Sequence, residues 1–293
     1  MAGATPYLGR YPILSHPTCA DWGPDHAVQP TRGGGMKQLA NMRKADKAHG
    51  DDTTLTRFIF TPGRHASDHR TALMPAGSTG TRFKSRVLPP SAMTNVLVSG
   101  HNNAKIGRDV RKGHLRGYWI YTLSLEERAT CPSSCQHWRS CYGNSMPFAK
   151  RVKHGPEMLR RIEIELADLC AKKRGVLVRL HALGDFYSTD YVAFWDGMLR
   201  LHPNLAVFGY TAHHPGTEIG DAVLRVIGRA GFSRFAVRFS GWSGALAAVT
   251  IDIEADAKVR DAVVCPQQTG GASHCATCAL CWGSQRNIAF LAH

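Results

Sequence analysis

The sequence predicts an α/β protein: a partial or full (β/α) barrel on a parallel sheet, with a cysteine-rich metal-binding tail. Two observations predict the fold. From Tyr118 onward, short runs rich in β-branched and aromatic residues alternate with amphipathic stretches of helical length, the pattern of βαβ units. Each apolar run stops at residues with chemical potential, and a parallel sheet gathers such residues at the carboxyl ends of its strands. A third observation predicts the tail. Seven of the nine cysteines fall into two groups, Cys131, Cys135 and Cys141, then Cys265, Cys275, Cys278 and Cys281. A doubly wound sheet is the alternative arrangement of the same units.

Residues 1–92 precede this pattern. They hold no glutamate and are rich in Gly, Pro, Thr, His and Arg, a composition that buries too little apolar surface to offset the entropy of ordering. They read as a poorly ordered basic extension, with one short helix near Met36–Lys47 and a stray Cys19. Met93 opens MTNVLVSGHNNAKIG and reads as the start of the ordered domain, residues 93–293, and as an alternative start of the chain.

YWIYTLSL (118–125) alternates and reads as the first parallel strand. PEMLRRIEIELADLCAKK (156–173) is an amphipathic helix, with Cys170 as a small core residue. GVLVRLHAL (175–183) is a buried strand ending at Gly184-Asp185, and Thr189 or Asp190 caps the helix YVAFWDGMLRLH (191–202). LAVFGYT (205–211) is a strand, GDAVLRVIGRAG (220–231) a helix, and RFAVRFSG (234–241) and AAVTIDI (247–253) two further strands. The strand ends then carry, in turn, the first cysteine group, His181 with Gly184 and Asp185, Tyr210 to His214, and Arg238 with Ser240.

Formal net charge is +14, from 36 Lys and Arg against 22 Asp and Glu. Such an excess favours a polyanionic partner, most often nucleic acid, although no compact recognition motif accompanies it. No apolar run reaches the roughly 18 residues that span a membrane, and no basic segment followed by an apolar run opens the sequence. A membrane role is therefore not expected and a cytoplasmic location is. In that compartment thiols stay reduced, so clustered cysteines read as metal ligands before disulfides.

Cys131, Cys135 and Cys141 are spaced C-x3-C-x5-C. Three thiolates leave one coordination position open, which suits an iron–sulfur cluster that binds a further ligand. A structural zinc with His137 as fourth ligand, or three free thiols, are the plainer readings. Cys265, Cys275, Cys278 and Cys281 are spaced C-x9-C-x2-C-x2-C and complete either a tetrahedral zinc or a second cluster that pins the tail. Asp185 is the candidate catalytic group, able to bind an ammonium or act as a base; capping the next helix is its plain alternative. A charge inside a strand that reads as buried needs a partner, which singles out Arg238 for a carboxylate or phosphate, with Ser240 for a ribose hydroxyl. Asn102, Asn103 and Lys105 are weaker candidates for a phosphate. The pair His213-His214 is a metal-ligand candidate or an exposed loop.

Three cysteines after the first strand resemble the radical S-adenosylmethionine enzymes, whose usual spacing is C-x3-C-x2-C; the second gap here is three residues longer. In those enzymes a Gly-Gly-Glu segment after the second strand holds the cofactor's amino group, and Leu183-Gly184-Asp185 lies in the comparable place. The chain as a whole resembles the phage gene product 88-type family, which also occurs in bacterial genomes. GHNNAKIG, YTLSLEERATCPSSC…SCYG, VRLHALGDFYS, VFGYT and CPQQ…CATCALCW carry the likeness, over about residues 94–287. Family members usually have Cys-Tyr-Ala in the loop; Cys141-Tyr142-Gly143 stands here.

The expected function is a radical S-adenosylmethionine-type enzyme. Cys131, Cys135 and Cys141 would hold a [4Fe–4S] cluster. Gly184, Asp185, Arg238 and Ser240 would hold S-adenosylmethionine, an electron donor would be the partner, and a nucleic-acid base is a candidate substrate. A zinc-containing base-exchange transglycosylase, with Asp185 as nucleophile or base, is the alternative enzyme. A zinc-stabilised nucleic-acid-binding protein is the non-catalytic one.

Overall fold

The computed structural model describes residues 73–292. Cys19 and the helix expected near Met36–Lys47 lie outside the described residues. In chain order the regular elements are β1 (Val87–Leu88), β2 (Val98–Ser99), β3 (Trp119–Ser124), β4 (Arg151–Val152), α1 (Pro156–Lys172), β5 (Val176–Leu183), α2 (Thr189–Leu201), β6 (Leu205–Thr211), α3 (Glu218–Ala230), β7 (Phe235–Ser240), β8 (Ala247–Ile251), α4 (Asp256–Val259), β9 (Ala262–Val264), α5 (Cys275–Cys278), α6 (Leu280–Gly283) and β10 (Asn287–Leu291).

The helices follow from local signals. Proline opens α1, and Met158, Ile162, Leu166 and Cys170 form one buried stripe at four-residue spacing. Met158, Ile162 and Leu166 are fully buried, worth about 1.5–3 kcal/mol each. Ser188, rather than Thr189 or Asp190, caps α2 by accepting the Tyr191 N–H at 3.1 Å. Thr217 caps α3 in the same way, accepting from Gly220 at 3.1 Å.

The main sheet has eight strands in the order β2-β3-β5-β6-β7-β8-β10-β9. Only β2 runs antiparallel to its neighbour; every other pair is parallel. From β3 to β8 the long strands follow one another in space as in sequence, without the reversal of order that defines a doubly wound sheet. Right-handed crossovers then carry α1, α2 and α3 to one face. The sheet is open. A closed barrel needs long tilted strands that meet edge to edge, and the edges here are a two-residue β2 and a three-residue β9. The full barrel among the expectations is thus corrected to an open parallel sheet.

The ordered domain also begins before Met93. The Met74 N–H donates to the Arg139 carbonyl at 3.0 Å, and Arg139 Nε donates back to the Met74 carbonyl at 3.0 Å. Thr81 Oγ1 donates to Glu127 at 2.7 Å, and the Gly80 carbonyl accepts from Arg128. This segment lacks periodicity because side-chain and loop bonds hold it in place of regular structure.

Candidate functional site

The first cysteine group sits in the long connection from β3 to β4, and a buried charge network fixes that connection at both ends. Glu127 is 1% exposed and Arg151 fully buried. Arg151 Nε and Nη2 donate to the two Glu127 oxygens at 2.8 and 2.9 Å, the bidentate geometry that only a guanidinium supplies. The remaining Arg151 donors reach the carbonyls of Gly143, Met146 and Ala149. Arg128 joins the Trp138 carbonyl and Asn144 Oδ1. Two cations thus clasp the backbone on the far side of the cysteines, and Arg151 holds the Glu127 carboxyl below its usual range against the pull of burial.

The loop lies over the carboxyl ends of the neighbouring strands. Thr130 Oγ1 accepts the Asp185 N–H at 3.2 Å. Gly184 has φ +86°, and a Cβ there would meet both Leu125 and Thr130 at 2.6 Å. Glycine is required at this position by the chain's own cysteine loop. Farther along the rim, Gln136 packs on Gly241 after β7, and His137 Nε2 lies 3.1 Å from Thr250 Oγ1 at β8. Burial raises the thiol pKa of Cys131, Cys135 and Cys141, and Asp185 adds to the rise at Cys131 and Cys135.

Asp185 is 4% exposed. Its Oδ1 accepts the Phe186 N–H and its Oδ2 the Ala212 N–H, both at 2.7 Å. It therefore ties the end of β5 to the end of β6 and does not cap α2. Burial still pushes its carboxyl up to about 7, against those hydrogen bonds. His181 stands at φ +54° where the pairing of β3 and β5 shifts register. Its Nε2 meets the Tyr191 hydroxyl at 3.2 Å, and burial lowers its pKa to about 3. It is a neutral core histidine. His213 and His214 donate through Nε2 to the carbonyls of Phe186 and Ser240, each at 2.8 Å.

The second cysteine group lies on the sheet face opposite the helices. Cys265, Cys275, Cys278 and Cys281 all line one small enclosed cavity, with Leu280, Trp282 and Ile288. The Cys275 and Ala276 N–H groups donate to the carbonyls of Lys105 and Ile106, and Asn103 Oδ1 shapes that turn by accepting from Lys105 and Ile106. Asn103 and Lys105 therefore support the tail. The Tyr210 hydroxyl donates to Cys281 Sγ at 2.9 Å. Burial and the neighbouring sulfurs push the Cys275 thiol up to about 12, and burial raises Cys278 and Cys281.

Arg238 is placed differently from its expected position at the rim. It is fully buried under the tail, and its guanidinium donates to the carbonyls of Cys281, Ser284 and Arg286. Its partners are backbone oxygens, which leaves it no donor for a cofactor. Ser240, at the end of β7, is half-buried.

All eight described cysteines are free thiols. Among the described residues, no three His, Cys, Asp or Glu side chains stand close enough to hold a metal ion as they are. The donor chemistry nevertheless fits one. Four thiols converge on a cavity that no polar group fills, and three more share a loop held from both ends. Among the described residues, no helix is long and apolar enough to cross a membrane.

The fold and site together define an open parallel α/β protein with a thiol-bearing loop over its carboxyl rim and a four-thiol tail against its opposite face. The chain belongs to the gene product 88 family, whose family model matches residues 96–284. No curated protein and no solved structure matches it significantly.

Proposed function

We propose that this protein is an iron–sulfur enzyme of the radical S-adenosylmethionine type, working at the carboxyl rim of a sheet curved as a partial (β/α) barrel. The observation that carries the reading is the stacking of the three-cysteine loop, through Thr130, onto Gly184-Asp185 at the end of the next parallel strand. Cys131, Cys135 and Cys141 would hold a [4Fe–4S] cluster, and the tail cysteines a second cluster or a zinc. A cluster with an open iron supplies one-electron reductive chemistry when bound.

The chain's own residues orient and enclose. The Glu127–Arg151 pair fixes the loop, and the loop keeps bulk water from the rim. Asp185 and Arg238 fit adenosylmethionine less well, because their polar atoms already hold backbone groups; Ser240 remains open to it. The net charge of +14 supports a nucleic-acid substrate. The expected location is the cytoplasm of a bacterial or phage-infected cell.

Anaerobic purification of the full chain tests the reading. A brown protein with about four or eight irons per chain, bleached by dithionite, is expected. Cys131→Ser should lose the rim iron and keep the tail metal. A colourless protein with zinc alone would overturn the proposal and favour the zinc transglycosylase or the binding protein. Turnover in Asp185→Asn separates those two.

A further inference from the structure

The sheet face that carries the tail is not sealed along its whole length. In β5, β6 and β7 nearly every residue is buried, and the exceptions on this face are Arg179, Tyr210 and Ser240. In β3 the half-buried residues at the same end are Thr122 and Ser124. Register puts them on one surface: Thr122 pairs with Arg179, Arg179 with Phe208, and Tyr210 with Arg238, while side chains two apart along a strand share a face. The tail covers the half of this face nearer the strand starts. The half nearer the carboxyl ends is therefore reachable by solvent, and its floor is four hydroxyl groups around one guanidinium.

Arg179 has the chemistry of an unfilled binding group. Among the described residues no carboxylate lies within ion-pair distance of it. Its one hydrogen bond runs from Nη1 to the Leu180 carbonyl at 3.0 Å. The guanidinium lies 4.6 Å from the Tyr210 ring centroid and 5.5 Å from that of Phe208, a stacking that holds a planar fork in place. Above it stands Tyr142, beside Cys141. Crowding pushes the Tyr142 phenol up to about 12, with Arg179 pulling the other way, yet the side chain is 48% exposed. A residue both crowded and solvent-reachable lines a concavity.

We propose that Arg179, stacked on Tyr210 and flanked by Thr122, Ser124, Ser240 and Tyr142, binds the oxyanion of a small substrate, a carboxylate or a phosphate, in a recess between the two cysteine groups. The fork meets two oxygens at once, and the hydroxyls take the rest of the polar ligand. The inference concerns binding and stands whether or not the cysteines hold iron.

Calorimetric titration of the full-length protein with inorganic phosphate and, separately, with citrate tests it. Saturable binding of at least one is expected, weakened tenfold or more in Arg179→Met and several-fold in Arg179→Lys, which keeps the charge and loses the fork. Preference between the two ions identifies the oxyanion. Circular dichroism confirms that the variants fold; if Arg179→Met does not, Arg179→Lys and Tyr142→Phe decide by the same measure. Absence of binding by both ions, or equal binding by wild type and the folded variants, overturns the proposal, since the anion then sits elsewhere on a basic surface.

Discussion

The two cysteine groups differ in how the protein holds them. The rim thiols are half-buried, on a loop without regular structure, and charges fix that loop: two guanidiniums and one carboxylate with almost no exposure. Three of the four tail thiols are buried, on short helices laid over an apolar wall, and a single unpaired guanidinium holds the backbone beneath them. A loop that must present ligands to the outside cannot use apolar burial to fix its shape, so buried ion pairs do that. A tail that needs only to stay in place can use packing. The difference separates a working site from a staple without reference to any metal.

The largest effect should come from the rim. Glu127→Gln leaves Arg151 and Arg128 buried without a counter-charge, and should cost about 3–5 kcal/mol in denaturant unfolding. Hydrogen exchange should show the loss first in residues 126–150, with the tail little changed. Equal loosening of both regions would break the comparison.

Arg238→Met comes next. It removes the donors of three carbonyls in the tail, at about 2 kcal/mol, and should raise exchange in residues 275–291 while leaving the loop protected.

Acid should sharpen the contrast between core and rim. His181 is held neutral, with its pKa lowered to about 3 from 6.5. The unfolded chain takes up its proton first, so stability falls as pH drops from 6.5 toward 3. His213 and His274, also lowered by burial, add to that slope. Asp185, raised to about 7, opposes it, because its contribution is lost as pH rises through that value. Glu127 acts only below 4.5. His181→Asn should therefore flatten the stability curve between pH 6.5 and 4.5; an unchanged slope would falsify the neutral-core assignment.

The smallest effect is the control. Lys172 and Asp168 form an exposed pair on α1, and Lys172→Ala should change stability by less than about 0.5 kcal/mol.

Much of the frame was legible. LAVFGYT is β6 to the residue, and PEMLRRIEIELADLCAKK is α1 with one residue to spare, because periodicity and capping are local. What escaped depends on partners distant in the chain. Arg151 lies 24 residues from Glu127, and nothing in either neighbourhood announces the pair. Residues 74–92 join the domain through bonds that leave no repeat. NIAFL is too short to declare itself as β10. Arg179 carried a usable signal, a lone charge in an apolar strand, which is the signal that picked out Arg238. The structure gives the two arginines opposite roles: Arg238 is consumed by backbone carbonyls, and Arg179 stays open.

The place of β10 between β8 and β9 has a consequence for how the molecule assembles. When β9 has been synthesised it has no neighbour to pair with. It must wait while the chain passes through the four tail cysteines and returns as β10. Assembly of this sheet edge and docking of the tail are therefore a single late event. A nascent protein halted before residue 287 would display an unpaired edge of β8 and four unclaimed thiols together, a combination prone to capture by other chains.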